Sequence, residues 1–261
     1  MNERELLASY RWPSSDQPHT RANMVTSLDG SQSLGGSSGK LSSDLDFKLL
    51  HHLRAGADVV LVGSTTAVRE KYTGIFVGQE TVTRRVSNGK APYPTLAVLS
   101  RNGVLPADSL FFEKTPLPTL VLVTAASDDE LQQCKQRAES IGTRRCRVID
   151  ARGLNGGFGS AIELLHSMGA MHVLCEGGPT VINGLAVENL IDELCLTISP
   201  LFVGGENVRN PVIGADGFEA TFASAVGGLA FTRWRRIAGT RDGPEQAEFR
   251  TFASISSSPD G

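Results

Sequence analysis

The apolar positions fall into short unbroken runs, and between them lie stretches with apolar residues every three or four positions. Residues 20–27 (TRANMVTS) predict a first strand, with Leu28-Asp29-Gly30 as its turn. Residues 31–39 are rich in Gly and Ser and predict a loop. Ser43 followed by Asp46 makes a capping-box-like helix start. Leu45, Leu49 and Leu53 then share one helical face, and Gly56 ends it. The run DVVLV (58–62) has the pattern of a parallel strand covered on both faces. Gly63 to Thr66 leads into a short helix, and residues 71–93 predict a long irregular loop. Strands follow at 95–99 and 119–123. A second capped helix opens at Ser127 and Glu130, carries Leu131, Cys134, Ala138 and Ile141 on its apolar face, and stops at Gly142. A strand at 145–149 precedes a third helix, opened by Ser160 with Glu163 and closed by Gly169. The strand 171–175 stops at Glu176, and a helix runs from about Pro179 to Glu188. Later strands are expected at 194–198, 231–237 and 248–255.

Strands alternate with helices through the first two-thirds, then strands succeed one another. That order predicts an α/β fold, a mixed and mostly parallel sheet flanked by helices, with antiparallel strands near the C-terminus. No repeat or composition break divides the chain. Residues 1–261 are expected to form one domain, with 1–18 as an N-terminal arm and 256–261 (SSSPDG) as a disordered tail.

Charge and cysteine usage narrow the function classes. A net charge of −3 gives no bulk attraction to nucleic acid or anionic membrane, so neither is an expected partner. Arg144, Arg145 and Arg147, and Arg233, Arg235 and Arg236, read as solvated strand faces. The opening residues hold no apolar stretch of signal-peptide type, and no window approaches the roughly 18 apolar residues of a membrane helix. Cys134, Cys146, Cys175 and Cys195 lie far apart with no C-x-x-C spacing. No metal site is expected, and the cysteines read as reduced core residues of a cytoplasmic protein.

Two glycine-rich stretches are excluded as nucleotide loops. In LGGSSGKLS, Leu34 stands where a Walker A loop needs its first glycine, and Leu41 replaces the hydroxyl. In GFGSAI, Ile162 occupies the third glycine position of a Rossmann fingerprint, so the segment reads as a loop and helix cap. Three strand ends are more informative: VLVGSTT (60–66), VLSR (98–101) and CEGGPT (175–180). Any one of them reads most simply as a connecting turn. Three on one sheet point to a ligand along the carboxyl edge of the strands. At the third, Pro179 fits the first helical position and Gly178 becomes an N-cap with no side chain over the free amides. Thr180 adds a hydroxyl.

Those strand ends, with ANMVTSLDG (22–30), the LSS after Ser38, LRAGADVVLVGSTT (53–66) and LIDELCLTISPLFVGG (190–205), resemble the pyrimidine reductase family of riboflavin biosynthesis. The family comprises the reductase domain of the bifunctional deaminase-reductase, and the resemblance implies a dihydrofolate-reductase-like fold. It further implies NADPH as cofactor, a small phosphorylated heterocycle as substrate, and a homodimer. The deaminase signatures H-x-E and P-C-x-x-C are absent, which leaves the reductase alone. Carried over by position, the cofactor contacts would be Thr26, Gly63, Thr66, Glu70, Ser100, Arg101, Gly177, Gly178, Pro179, Thr180 and Val181. Ser100 and Arg101 would meet the 2′-phosphate. The substrate contacts would be Asn23, Ser38, Arg54 and Glu176.

The chain departs from the family pattern in three places. Asn23 replaces a lysine, Glu70-Lys71-Tyr72 replaces Asp-Asn-Pro, and the Leu and Arg that hold the substrate phosphate have no counterpart before Gly74. Two alternatives therefore stay open, a pteridine reductase of the same fold and a non-catalytic nucleotide-binding protein. The catalytic proton donor is not assigned. Asp29 is a candidate, although its Asp-Gly context also suits a turn.

Overall fold

Among the described residues, the unbroken apolar runs become the inner strands of one nine-stranded sheet. The computed structural model describes residues 1–14, 17–153, 157–204 and 217–237. In chain order the elements are α1 (Glu3–Ala8), β1 (His19–Thr26), α2 (Asp44–Gly56), β2 (Val59–Gly63), α3 (Ser64–Arg69), α4 (Gln79–Ser87), β3 (Thr95–Ser100), α5 (Leu110–Glu113), β4 (Thr119–Val123), α6 (Asp128–Ile141), β5 (Cys146–Asp150), α7 (Gly157–Ser167), β6 (His172–Cys175), α8 (Pro179–Val187), β7 (Glu193–Ile198), β8 (Phe218–Val226) and β9 (Leu229–Arg236).

Strand order is β5-β4-β3-β2-β6-β1-β7-β9-β8. The first seven of these run parallel, and β9 pairs antiparallel with both β7 and β8. The predicted mixed sheet with C-terminal antiparallel strands is thus the observed one. All five residues of β2 are buried, because helices cover both faces of the sheet. On one face Leu6, Leu49 and Leu53 pack over Val60, Val62 and Leu174. On the other, Ile162, Leu165, Ile182 and Leu185 pack over Leu61, Leu99 and Val173.

Position β6 decides where the site lies. The chain leaves β2 outward towards β3, and returns to insert β6 between β2 and β1. From β6 it leaves the other way, through α8 to β7. Connections diverging from adjacent parallel strands open a crevice outside their carboxyl ends.

Several local expectations need correction. Residues 79–87, expected within an irregular loop, form α4. Its sequence has no apolar stripe, and tertiary bonds anchor it instead. Buried Arg85 donates to the carbonyls of Ala55 (2.9 Å), Ala57 (2.6 Å) and Ala91 (2.9 Å). The segment GFGSAI is the first turn of α7 rather than a loop, and Ser160 lies inside the helix. The capping acceptor is remote in sequence: the Glu188 carboxylate takes the amides of Phe158 (3.1 Å) and Gly159 (2.6 Å). No periodicity marked α1, capped by a reciprocal Asn2–Glu5 box, or β8, which among the described residues pairs only with β9. Arg233, read as solvated, is half-buried and paired with Glu193. The expected strand at 248–255 and the tail at 256–261 lie outside the described residues.

All four cysteines are free and buried. Burial pushes the thiols of Cys175 and Cys195 up to about 12, so both stay protonated. Among the described residues, no helix is long and apolar enough to cross a membrane.

Candidate functional site

Glycines bring three elements together at the crevice. The Glu176 amide donates to Leu61 O (2.9 Å) and the Gly63 amide to Gly177 O (2.7 Å), which extends the β2–β6 pairing past the strand ends. Gly177 has φ +95°, a conformation that suits glycine. The Gly177–Gly178 peptide is cis. Gly178 is the N-cap of α8, with no capping side chain, and Pro179 is the first helical residue. A Cβ on Gly178 would fall 2.3 Å from Thr66 Oγ1, and one on Gly63 would fall 2.9 Å from Val181 Cγ2. Gly178 therefore serves first to let α3 and α8 meet, and a valine there would strike Thr66 before any ligand.

A cavity of about 750 Å³ opens above this junction, within the usual range of small-molecule sites. All four expected substrate positions, Asn23, Ser38, Arg54 and Glu176, line it. So do Thr66, Glu70, Gly177, Gly178 and Pro179 from the expected cofactor set. Thr26, Gly63, Ser100, Arg101, Thr180 and Val181 are not on its wall. The reasons differ. Thr26 is buried, and Val181 spends its side chain against Gly63 and its amide on Gly178 O (3.0 Å). Thr180 and Arg101 are exposed. Ser100 is buried at the end of β3, where its hydroxyl accepts the Gly103 amide (3.0 Å). β3 lies beside β2 on the side away from β6, so Ser100 and Arg101 continue the same carboxyl edge beyond the cavity.

The acid that closes β6 is held by three protein donors. Arg54, in the last turn of α2, grips both oxygens of Glu176 with one edge of its guanidinium, Nε to Oε1 at 2.7 Å and Nη2 to Oε2 at 2.6 Å. The Tyr72 hydroxyl donates to Oε2 at 2.8 Å. Only 3% of the Glu176 side chain and 18% of Arg54 is exposed, so the pair is held out of water. Burial and the Glu176 charge raise the Tyr72 phenol well above its ordinary value, so it stays a neutral donor. Burial would lower the Arg54 pKa, but Glu176 and Tyr72 outweigh it and the pKa is raised. Tyr72 was missed in the sequence. The replacement of the family's proline at this position was the only signal.

Asp46 is a second missed residue. It lines the cavity, is buried, and accepts from Ser42 Oγ at 2.5 Å. Burial pushes its carboxyl up, against hydrogen bonds from Ser42 and Thr197. A signal did exist: Asp46 stands three and seven residues before Leu49 and Leu53, on the buried face of α2. Asp29, the sequence candidate for proton donor, is corrected. It lies off the cavity wall and binds Ser27 Oγ (2.5 Å) and the amides of Val203 (3.1 Å) and Gly204 (2.7 Å). The Ser27 bond first, then those amides, hold its pKa down at about 2, so it is ionised at neutral pH.

The chain has relatives among known proteins. The family model described as the RibD C-terminal domain matches residues 18–239. The chain is similar to the protein named 2,5-diamino-6-ribosylamino-4(3H)-pyrimidinone 5′-phosphate reductase of Archaeoglobus fulgidus, at 25% identity over 73% of this chain and 84% of the relative. A protein of the same name from Aquifex aeolicus is 27% identical over 78% of this chain and 86% of the relative. Among solved structures, a pyrimidine reductase-like protein from Corynebacterium diphtheriae superposes with a TM-score of 0.74 at 25% identity, covering 91% of this chain and 99% of that one. The riboflavin biosynthesis reductase of Saccharomyces cerevisiae shares the fold, with a TM-score of 0.57 at 18% identity over 89% of this chain and 98% of that one.

Proposed function

Because the chain belongs to the RibD C-terminal domain family, we propose that it is an NADPH-dependent reductase of a phosphorylated ribosylaminopyrimidine, yielding the ribitylamino product. The observation that carries this reading is the cavity at the β2–β6 divergence. It joins an uncapped helix start to a floor of prearranged polar side chains. The residues present fit a nicotinamide nucleotide. Gly178, the N-cap of the nine-residue helix α8, lies on the cavity wall with no capping side chain over the helix start, and Glu70, also on the wall, has its Oε1 held only by Arg69 Nε at 3.5 Å among the described residues. Thr66, Glu70 and Gly177 to Pro179 would hold the nucleotide within the cavity. Ser100 and Arg101 would hold a 2′-phosphate further along the same edge.

When bound, the dihydronicotinamide supplies a hydride. The protein's part is orientation and proton placement. Arg54, fixed by Glu176 and Tyr72, walls the substrate side of the cavity. Asp46 holds a proton on its buried carboxyl more readily than an exposed aspartate does. Once the sugar ring opens to the imine, the nitrogen's proton passing to the ring oxygen as the C1′–O4′ bond breaks, Asp46 would give its proton to the imine nitrogen as C1′ takes the hydride, and regain one from solvent. Incubation with NADPH and either 5-amino-6-(5-phosphoribosylamino)uracil or the 2,5-diaminopyrimidinone analogue tests the reading by loss of NADPH absorbance. Turnover of either supports it. Oxidation with dihydrofolate alone would favour a pteridine reductase, and tight NADPH binding without any turnover would favour a non-catalytic protein.

Arg101 gives a sharper prediction. A guanidinium at the β3 end should prefer the 2′-phosphate of NADPH through charge-assisted bonds. Arg101→Ala should weaken NADPH binding by roughly tenfold and leave NADH binding unchanged. Equal affinity of the wild type for both nucleotides would remove the role. The homodimer belongs to the same reading. Leu194, Leu196 and Ile198 on β7 remain partly exposed on one sheet face, which a second copy could cover. Sedimentation at the 27.8 kDa monomer mass in the micromolar range would refute it.

A further inference from the structure

Two neutral side chains on the cavity wall are left unsatisfied by the protein. Asn23 Oδ1 and Gln32 Nε2 are buried, and neither has a hydrogen-bond partner among the described residues. Such atoms are uncommon, because a buried polar atom without a partner forfeits its bonds to water. Here the protein holds both in place. Asn23 follows the Ala22–Cys175 pairing on β1, which sets it across from Glu176 at the cavity floor. Gln32 follows a turn locked by Ser27 N to Ser31 O (2.9 Å) and Ser31 N to Ser27 Oγ (2.8 Å). The next backbone step is tied by Ser31 Oγ to Ser33 O at 2.9 Å. The backbone on either side of Gln32 is thus fixed, while its Nε2 has no partner among the described residues.

The charged groups nearby already bind protein partners. Arg54, Tyr72 and Glu176 bind one another, and Asp46 binds Ser42. Among the described uncharged side chains on the wall, two amides hold a buried atom without a partner, one an acceptor and one a donor. Turning both amides about their last torsions exchanges the roles and still leaves one of each. The complement is a ring edge carrying an N–H beside a C=O. We propose that Asn23 and Gln32 together read the lactam edge of the heterocyclic substrate. The assignment rests on the reading of this cavity as the substrate site.

The test is a calorimetric titration of the NADPH-saturated protein with the reaction product, 5-amino-6-(5-phosphoribitylamino)uracil. A second ligand is the analogue in which the ring C4=O is replaced by C–H. The wild type should prefer the product by about tenfold or more, because a site built to hydrogen-bond a group penalises a ligand that lacks it. Gln32→Leu and Gln32→Glu, which both remove the donor, should weaken product binding and bring the two ligands within about threefold. Asn23→Leu should weaken both ligands. Without ligand, Gln32→Leu and Asn23→Leu should melt no lower than the wild type, since the atoms removed have no partner to lose.

Unchanged product affinity in the variants, or discrimination that survives in Gln32→Leu and Gln32→Glu, would overturn the assignment. So would a melting temperature that falls while affinity holds. Turnover of a phosphoribosylaminopyrimidine with undisturbed titrations would refute only this assignment. Absence of turnover with the expected losses in binding would refute only the reductase. No binding to the wild type would refute both.

Discussion

Glu176→Gln is expected to lose both stability and turnover in the same preparation. The carboxylate takes two hydrogen bonds from Arg54 and one from Tyr72 in a nearly dry setting. A glutamine keeps the shape, but it turns an NH2 group towards guanidinium or phenol donors and leaves the Arg54 charge without its counter-charge. Breaking a buried ion pair from one side costs about 3 kcal/mol or more, which should appear in urea melts at neutral pH. Turnover should fall by about 1.5–3 kcal/mol in transition-state terms, since Arg54 loses its fixed orientation. The double variant Arg54→Met, Glu176→Leu separates the two effects. With no charge left buried, stability should largely return, while turnover should not. A single variant that melts like wild type but fails to turn over would mean that Glu176 spends its oxygens on substrate rather than on Arg54.

That outcome matters because the sequence reading expected Glu176 to face the substrate directly. An acid closing an apolar strand was legible as special, and so was its need for a partner. The partners were not. Arg54 lies 122 residues away and Tyr72 104 residues away, and neither distance carries a periodic signal. Strand runs such as VVLVG and TLVLV were legible because burial on both faces imposes an unbroken apolar pattern. The Ser127–Glu130 box was legible because its two bonds span three residues. Elements held by remote groups escaped. α4 hangs on Arg85 bonds that reach back about thirty residues, and α7 is capped by Glu188 from the end of α8.

The same division runs through the site. Glycines at the strand ends pointed to close approach, and the structure shows close approach of Thr66 and Val181 to them. Which approach a glycine serves is a tertiary question, and one sequence leaves a packed side chain and a ligand equally open. Asp46 could have been found, since a carboxylate on the stripe of Leu49 and Leu53 conflicts with the apolar pattern. Gln32 could not, because it sits in a Gly/Ser-rich loop whose course is defined by bonds among its own serines, Ser27 to Ser31 and Ser31 to Ser33.

The largest purely structural loss is expected at Glu193. This acid opens β7 and is paired in register with Arg21 on β1 and Arg235 on β9. Its carboxylate contacts the Arg21 guanidinium, which is only 1% exposed, and lies 3.1 Å from Arg233 Nε and 3.8 Å from His19. Arg21 in turn donates to Tyr10 O (2.9 Å) and Arg11 O (3.1 Å) and lies over the Trp12 ring, while Arg233 donates to Ser9 O. One carboxylate thus balances two guanidiniums that tie residues 9–12 to three strands. Glu193→Gln removes that balance and should cost about 3–5 kcal/mol at pH 7, a large share of a typical total of about 5–15 kcal/mol. Arg21→Met in the same chain should recover part of it.

The sign of the pH dependence follows from the carboxyl. Burial pushes its pKa up, but His19, Arg21 and Arg233 outweigh burial and hold it below the ordinary 4.5. A depressed acid contributes its full stabilisation above the unfolded pKa and loses it as pH falls through the folded one. Urea melts of wild type and Glu193→Gln should therefore differ most at pH 7 and converge as pH drops below about 4. A gap that stays constant down to the acid limit would show that packing of the side chain, rather than its charge, holds the three strands and the N-terminal residues together.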